Sequence, residues 1–152
     1  LCTIRRICYH GPMKQASRIL TLQTRGQGMY DFTRDIRVFC RETQAVEGVL
    51  TLMCRHTSAS LTIQENADPD VQTDLQDAME RLAPQDPELY IHGAEGPDDM
   101  PAHIRTVLSG VTLSIPLMDG HLTLGAWQGV YLWEHRDAPH QRQVAAHLLY
   151  DD

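Results

Sequence analysis

The sequence predicts an α+β fold, a single domain in which antiparallel sheets pack with about three helices. Its 152 residues suit one domain, because two domains of half that length would each have a marginal core. Segments with alternating apolar and polar residues surround an Asp-Gly turn in the last third of the chain, which is typical of antiparallel pairing. The helical patterns lie between groups of strands and do not alternate with single strands, which favours α+β over a parallel sheet.

The N-terminal half begins with strands and one helix. Residues 15–24 predict an opening strand that ends at a Gly-rich turn, and Thr33 is positioned to cap a helix that continues to about residue 44. Two apolar stretches, at residues 48–54 and 61–63, predict a pair of strands that the polar run after His56 separates.

The most regular helical pattern begins after Asp68 and ends near Ala83. Asp68 suits the N-cap, the proline after it suits the first helical position, and five apolar residues form one stripe along the helix. Residues 85–99, rich in Pro, Gly and acids, predict a long loop. Pro101 then begins a short helix that Gly110 ends.

The last third of the chain predicts antiparallel sheet. Residues 111–115 alternate apolar and polar, and Asp119-Gly120 suits a two-residue hairpin turn. Two further strands are predicted at residues 127–135 and 142–149, which brings the total to about six strands. The hairpin register pairs apolar residues with each other: Ile115 with Leu124, and Leu113 with Ala126.

The composition excludes several classes of function. Lysine and arginine number 13 against 20 acidic residues, a net charge of −7, whereas a protein that grips nucleic-acid phosphates is normally basic. No apolar run reaches the roughly 20 residues that span a bilayer, and residues 1–12 have no hydrophobic stretch or small-residue cleavage site, so we do not expect them to be a secretory signal. We therefore expect a cytoplasmic protein with no nucleic-acid or membrane partner.

Lys14 is the only lysine, and no Gly-rich loop lies beside it in the sequence. This excludes Schiff-base and phosphate-loop mechanisms.

The cysteines predict no metal finger and no redox pair, because Cys2, Cys8, Cys40 and Cys54 show neither type of spacing. Cys40 and Cys54 lie in apolar segments, so we interpret them as reduced thiols in the core. Cys2 and Cys8 belong to residues 1–12, which show no regular pattern and are interpreted as an N-terminal extension.

Three of the 8 histidines lie in polar junctions beside rigid elements. His56 follows an apolar strand, His92 lies in the long loop, and His103 is in the first turn of the short helix. Neutral imidazoles are preferred ligands of zinc and similar ions, and three of them with an open position lower the pKa of bound water to about 7. A histidine satisfied in the core is the alternative for each, and their spacing matches no metal signature.

Other polar residues are candidates for the same pocket. Glu134 shares strand parity with apolar residues and so points inward, which is costly unless it is paired; exposure at the strand end is the alternative. Asn66 lies between a strand end and a helix N-terminus. Ser58 and Ser60 follow His56, but no nucleophile-elbow motif surrounds them, so we expect them to bind backbone or ligand oxygens.

Three long motifs resemble the YjbQ-like family of small proteins, which is labelled secondary thiamine-phosphate synthase. They are HTSASLTIQENADPD at residues 56–70, HGAEGPDDMPAHI at 92–104 and LSIPLMDGHLTLGAWQGV at 113–130. The resemblance runs from about residue 13 to residue 149, so the chain divides into an extension (1–12) and a YjbQ-like domain (13–152). One departure is Ala126, where the family pattern often has threonine, so one hydroxyl is missing.

The resemblance implies a homotrimer with a histidine-lined cleft near the subunit boundary, which binds metal in some members. It also implies weak synthesis of thiamine phosphate from a pyrimidine diphosphate and a thiazole phosphate, while the label "secondary" leaves the native reaction open. Seven candidate residues fall within the span of the resemblance: His56, Asn66, His92, Glu95, His103, Gln128 and Glu134.

From the residues and the resemblance together, we predict a trimeric enzyme that acts on phosphorylated small molecules. His56, His92 and His103 are expected to hold a divalent ion, zinc or magnesium, or the substrate phosphate. Two alternatives stay open: a metal-dependent phosphate-ester hydrolase that uses the same cleft, and a non-catalytic protein that binds a metabolite or a metal. We expect Glu95 or Glu134 to act as a general base or as a further metal partner. Asn66 and Gln128 are expected to orient the substrate through hydrogen bonds, and Arg55 or Arg105 to neutralise the charge of the leaving group.

Overall fold

The computed structural model describes residues 12–151, which form eight strands and three helices. The predicted α+β class is confirmed, because the strands pair antiparallel and the helices lie between groups of strands. The elements are β1 (Lys14–Gln23), β2 (Gly28–Asp31), α1 (Thr33–Glu42), β3 (Glu47–Cys54), β4 (Ala59–Glu65), α2 (Pro69–Leu82), α3 (Asp99–Ser109), β5 (Thr112–Met118), β6 (His121–Leu122), β7 (Gln128–Glu134) and β8 (Gln141–Asp151).

The strands form two antiparallel sheets. The larger sheet has the order β1-β8-β3-β5-β6, and the smaller has the order β2-β7-β4. The sequence does not predict β2, which has 4 residues, and the predicted second arm of the hairpin is reduced to β6, which has 2 residues. Strands this short contain too few residues to establish a period-two pattern.

One hydrophobic core joins both sheets to α1. Strand β8 contributes alternate residues, and Val144 and Leu148 are fully buried. From the smaller sheet, Leu61 and Leu132 enter the same cluster, and Ile36 enters it from α1. Alternation in the strands and helical spacing in α1 therefore direct their apolar faces to the same interior.

The two longer predicted helices are confirmed, and one of their predicted caps is wrong. The Asp68 side chain accepts a hydrogen bond from the Asp70 amide at 2.9 Å, as predicted for the N-cap of α2. In α1 the N-cap residue is Phe32, and Thr33 is the first helical residue. The Thr33 hydroxyl instead accepts a hydrogen bond from the Val130 amide at 2.8 Å, which ties α1 to β7.

The Asp119-Gly120 turn joins β5 to β6 as predicted. Both residues have positive φ, 50° and 75°, the conformation that a two-residue hairpin turn of the primed type requires. Leu117 pairs with Leu122 in the predicted register.

The longer hairpin predicted from this turn is wrong. Strand β6 ends at Leu122 because the chain then turns away, and the Gln128 amide donates a hydrogen bond to the Gly125 carbonyl at 3.0 Å. The next strand, β7, joins the smaller sheet. The pairs Ile115–Leu124 and Leu113–Ala126 therefore do not form. On its other edge β5 pairs with β3, Ile115 with Leu50 and Leu113 with Leu52.

Cys40 and Cys54 are buried free thiols, as predicted. Burial raises the pKa of Cys40 to about 11, so its thiol stays protonated at neutral pH. Cys2, Cys8 and all but the last residue of the predicted extension lie outside the described residues. None of the helices in residues 12–151 is long and apolar enough to cross a membrane.

Candidate functional site

Two of the predicted histidines meet at a buried carboxylate. Nε2 of His92 lies 2.7 Å from Oδ2 of Asp99, and Nε2 of His103 lies 3.5 Å from the same oxygen. One donor atom from each of the three residues lies within 4.8 Å of the other two. We call this set the His–Asp cluster. Its carboxylate is 4% exposed, whereas the two imidazoles are 49% and 32% exposed, so solvent reaches the cluster from the histidine side.

The cluster is assembled by α3 and by the loop before it. Asp99 is the first residue of α3 and His103 follows four residues later, so both side chains lie on one face of the helix. The loop before α3 places His92 beside them, with the His92 and His103 ring centroids 5.5 Å apart.

A second hydrogen bond fixes the tautomer of His103. Its Nδ1 lies 2.9 Å from the Thr57 carbonyl oxygen. Because a carbonyl only accepts, Nδ1 carries the proton, and in the neutral ring Nε2 presents a lone pair. This arrangement is common among metal-binding histidines, whose second nitrogen donates to a carbonyl or carboxylate.

Arg136 holds the acidic side of the cluster. Its Nε donates to Oδ2 of Asp98 at 2.8 Å, its Nη1 contacts Oδ1 of Asp99, and its Nη2 donates to the Glu95 carbonyl at 2.8 Å. Burial opposes ionisation of Asp98, but the hydrogen bonds from Arg136 and the Asp137 amide outweigh burial and lower the pKa of Asp98. Two ionised aspartates against one guanidinium leave a net negative charge beside the histidines, which favours a cation.

The His–Asp cluster adjoins a mainly apolar cleft of about 640 Å³. His103 and His56 both line this cleft, but His56 is not one of the three clustered ligands. Nε2 of His56 accepts a hydrogen bond from the Gln143 amide at 2.8 Å. Burial, together with the nearby Arg142, lowers the pKa of His56, so the ring is neutral at pH 7. Its proton then lies on Nδ1, because Nε2 is the acceptor.

The two candidate bases are placed very differently. Glu134 is fully buried and points inward, as strand parity predicts. Its carboxylate accepts hydrogen bonds from Arg142 at 2.7 Å and from Thr24 at 2.8 Å. Although burial raises the pKa of Glu134, these hydrogen bonds lower it below its ordinary value. Glu95 is 71% exposed, and its Oε2 lies 3.8 Å from Nη1 of Arg136, at the edge of the His–Asp cluster.

Asn66 and Gln128 lie at the opposite end of the smaller sheet from the histidines. Glu65, the neighbour of Asn66, pairs with Gln128, whereas the other end of β4 pairs with Glu134. Oε1 of Gln128 accepts a hydrogen bond from the Gly125 amide at 2.8 Å, so this side chain closes the turn before β7. Within one chain, the structure does not bring Asn66 or Gln128 to the cleft.

The two arginine candidates also differ. Arg55 is exposed at the cleft, where its Nη1 donates to Oε1 of Gln143 at 2.8 Å. Arg105 is fully buried, and its Nη2 contacts the Ala83 carbonyl at 2.7 Å and Oε2 of Glu80 at 2.9 Å. Arg105 therefore joins α3 to α2 and does not reach the cleft.

Sequence reasoning missed Asp99, which belongs to the His–Asp cluster, and Arg136, which binds the other oxygen of Asp99. The spacing of four between Asp99 and His103 places both on one helix face only if the helix begins at Asp99, whereas the sequence assigns Asp99 to the loop and begins the helix at Pro101. No sequence signal indicates Arg136, because it lies about 40 residues from its carboxylate partners and only the fold brings them together.

Comparisons with known proteins agree with the fold and the motifs. The sequence profile described as UPF0047 protein YjbQ-like matches residues 18–151. The UPF0047 protein of Synechocystis sp. is 48% identical over 135 residues, which cover 89% of this chain and 92% of that protein. The UPF0047 protein YjbQ of Salmonella typhimurium is 41% identical over 132 residues, which cover 86% and 95%.

Solved structures show the same architecture. An uncharacterised YjbQ/UPF0047 protein from Clostridium acetobutylicum has a TM-score of 0.77 at 34% identity, covering 84% of this chain and 97% of that chain. A protein of unknown function from Sulfolobus solfataricus has a TM-score of 0.84 at 17% identity, covering 92% and 100%, and shares the fold. The chain therefore belongs to the UPF0047 (YjbQ-like) family.

Proposed function

We propose that this protein is a metal-dependent enzyme that acts on a phosphorylated small molecule in the cleft beside His103. The observation that carries the proposal is the convergence of His92, Asp99 and His103, whose donor atoms lie within 4.8 Å of one another. Two imidazoles and a carboxylate form a common ligand set for catalytic zinc, which keeps a further position open for water or substrate. The residues fit zinc better than magnesium, which prefers oxygen ligands.

The chain's own residues prepare this site. The Thr57 carbonyl keeps the proton of His103 on Nδ1, so Nε2 is free to coordinate without rotation of the ring. Arg136 orients Asp99 through its other oxygen and leaves Oδ2 towards the histidines. A bound divalent ion supplies Lewis acidity and lowers the pKa of a coordinated water. The neutral His56 provides an N–H donor at the wall of the cleft.

The cleft supports a substrate with an apolar body and an anionic group. Met53, Val107, Val111 and Ala145 line it, which suits a ring or short apolar group. Arg55 lies at the same cleft and supplies positive charge for a phosphate. The two phosphorylated heterocycles used in thiamine-phosphate synthesis have this character, and we propose that coupling as the first reaction to test.

The metal site is tested by zinc titration calorimetry and elemental analysis of protein purified without chelators or affinity metal. We expect wild-type protein to bind one zinc per chain, and Asp99→Asn and His103→Gln to bind at least about tenfold more weakly. Asp77→Asn and His147→Gln make the same chemical changes outside the cluster and should bind zinc like the wild type. Absence of zinc binding by the wild type, or equal binding by all variants, would contradict the metal site.

Activity is tested with the metal-loaded protein in two assays. One follows consumption of the pyrimidine diphosphate that depends on the thiazole phosphate, and the other follows phosphate release from a panel of phosphomonoesters. Turnover in the first assay supports the coupling reaction, and turnover in the second alone identifies a hydrolase. Zinc binding without any turnover, with a ligand retained through purification, would indicate a binding protein and contradict the catalytic proposal.

We also propose that the active form is a homotrimer. In a homotrimer, Asn66 and Gln128 can lie at the cleft of a neighbouring subunit. Within one chain they lie at the far end of the smaller sheet and do not reach the cleft. Light scattering coupled to size-exclusion chromatography measures the mass directly. A mass near that of one chain would contradict this assembly.

A further inference from the structure

A second groove, of about 670 Å³, lies between α1 and the turn that joins β5 to β6. Three arginines of α1 line it, and we call it the arginine groove. Its lining also includes an amide, an imidazole and one carboxylate. The residues that matter for its charge are Arg34, Arg37, Arg41, Asn66, His121 and Asp31.

The three arginines lie on one face of α1, because they are spaced by three and four residues. All three are exposed, and among the described residues none of them forms an ion pair with a carboxylate. By contrast, Arg18, which packs over Phe39 of the same helix, pairs with Glu42 at 2.6 Å. The groove therefore concentrates positive charge that the protein itself leaves unneutralised.

This arrangement is unfavourable for the helix. Like charges at spacings of three and four repel one another, and Arg34 lies in the first turn of α1, where the helix dipole disfavours a cation. In a chain with 20 acidic residues, placing three unpaired arginines together is a local exception to the charge balance. A bound anion would offset both penalties.

The other residues of the groove do not supply that anion. The Asp31 carboxylate accepts a hydrogen bond from the Thr33 amide at 2.8 Å, and this one carboxylate is outnumbered by the three guanidinium groups of the groove. Cys40 also contributes to the wall of the groove, and burial raises the pKa of its thiol to about 11, so the thiol is neutral. Asn66 and His121 add polar groups that can donate hydrogen bonds to an anion.

We propose that the arginine groove binds a small anion with two or more phosphate groups, such as a diphosphate. Its volume is in the range of small-molecule pockets, about 300–1,000 Å³, and arginine forks bind phosphate oxygens in pairs. The net charge of −7 repels long polyanions such as nucleic acids, so a compact anion is favoured.

This site is separate from the His–Asp cluster in the same chain. Thr57, which contacts His103, precedes β4, and Asn66 follows β4. The 7 residues of this strand span about 23 Å, at roughly 3.3 Å per residue, and lie between the two sites. The proposal therefore stands or falls without the metal site.

The test is isothermal titration calorimetry of the full chain with inorganic pyrophosphate at low salt. The variant Arg37→Gln/Arg41→Gln removes two charges from the groove. Its matched control, Arg25→Gln/Arg81→Gln, removes two exposed arginines that do not line the groove. We expect the groove variant to bind pyrophosphate at least tenfold more weakly and the control to bind like the wild type.

Further arms of the experiment separate the possible occupants. Citrate carries comparable charge on carboxylates, so tighter binding of citrate than of pyrophosphate would overturn the phosphate class. Absence of pyrophosphate binding by the wild type, or equal weakening in the control, would overturn the site. Light scattering of the groove variant completes the test, because a loss of assembly without any wild-type affinity for pyrophosphate would identify the occupant as another copy of the chain.

Discussion

The buried His135 gives the sharpest prediction about stability. Its side chain is fully buried, Nε2 lies 2.8 Å from Oγ of Ser60, and its Nδ1 has no partner among the described residues. Burial, reinforced by the positive charge of Arg105, lowers the pKa of His135 to about 3. The folded protein therefore keeps this ring neutral at pH values where an unfolded chain protonates it.

The sign and size of the effect follow from proton linkage. Between the folded pKa of about 3 and the unfolded pKa of about 6.5 the unfolded state binds one more proton, so stability decreases as pH falls. The contribution of His135 is complete above this window. Lowering the pH from 7 to 5 removes about 2 kcal/mol of unfolding free energy through this one group, since the slope approaches about 1.4 kcal/mol per pH unit.

Urea denaturation of the wild type and of His135→Gln at a series of pH values between 7 and 5 measures this contribution. Glutamine retains a group that can hydrogen-bond to Ser60, so the variant removes the titration while keeping that contact. The stability difference between the two proteins should narrow by about 2 kcal/mol over this range. His147→Gln controls for the loss of one histidine. A difference that stays constant with pH would refute the assignment of His135 as a neutral buried group.

Three further predictions follow from the core and the buried ion pair. Glu134→Gln leaves Arg142 buried without its charge partner and should cost about 3 kcal/mol or more in urea denaturation, whereas Glu42→Gln breaks an exposed pair and should cost less than about 1 kcal/mol. Leu132→Ala empties a fully buried position between the sheet and α1 and should cost about 2–5 kcal/mol by the same measurement. Alkylation at pH 8 followed by peptide mapping should leave Cys40 unmodified until denaturant is added, and rapid labelling of the native protein would show that this thiol is accessible.

The sequence predicts a helix, strand or turn correctly where its signal comes from residues that are close together in the chain. The cap at Asp68 and the turn at Asp119-Gly120 each depend on the backbone preferences of one or two residues, and both form as expected. The path of the chain after Leu122 depends on residues distant in sequence. Strand β7 completes the smaller sheet because it pairs with β2 and β4, and neither of these strands is near it in sequence. Continuing the hairpin from its turn therefore gave pairs that do not exist.

In the candidate site, too, local sequence signals identified some of the residues that come together, whereas positions that depend on long-range pairing were not predicted. His92 and His103 were identified from their polar junctions, and the fold brings them together. The sequence predicts Asn66 and Gln128 in the same cleft because both fall on the motifs of the family resemblance, but β4 and β7 carry them to the other end of the sheet. Two residues of one motif are close in sequence but need not be close in space. A strand of seven residues is long enough to place the residues at its two ends in different sites.

The position of β8 in the larger sheet has a consequence for synthesis on the ribosome. This strand lies between β1 and β3, and it pairs Lys14 with Tyr150 and Glu47 with Asp151. Strand β3 can pair with β5 before β8 is translated, but β1 has only β8 as its partner. Strand β1 therefore waits unpaired while more than a hundred residues are added and β8 leaves the exit tunnel. Nascent chains stalled before β8 should therefore be ready clients for chaperones, and the domain should complete its folding late.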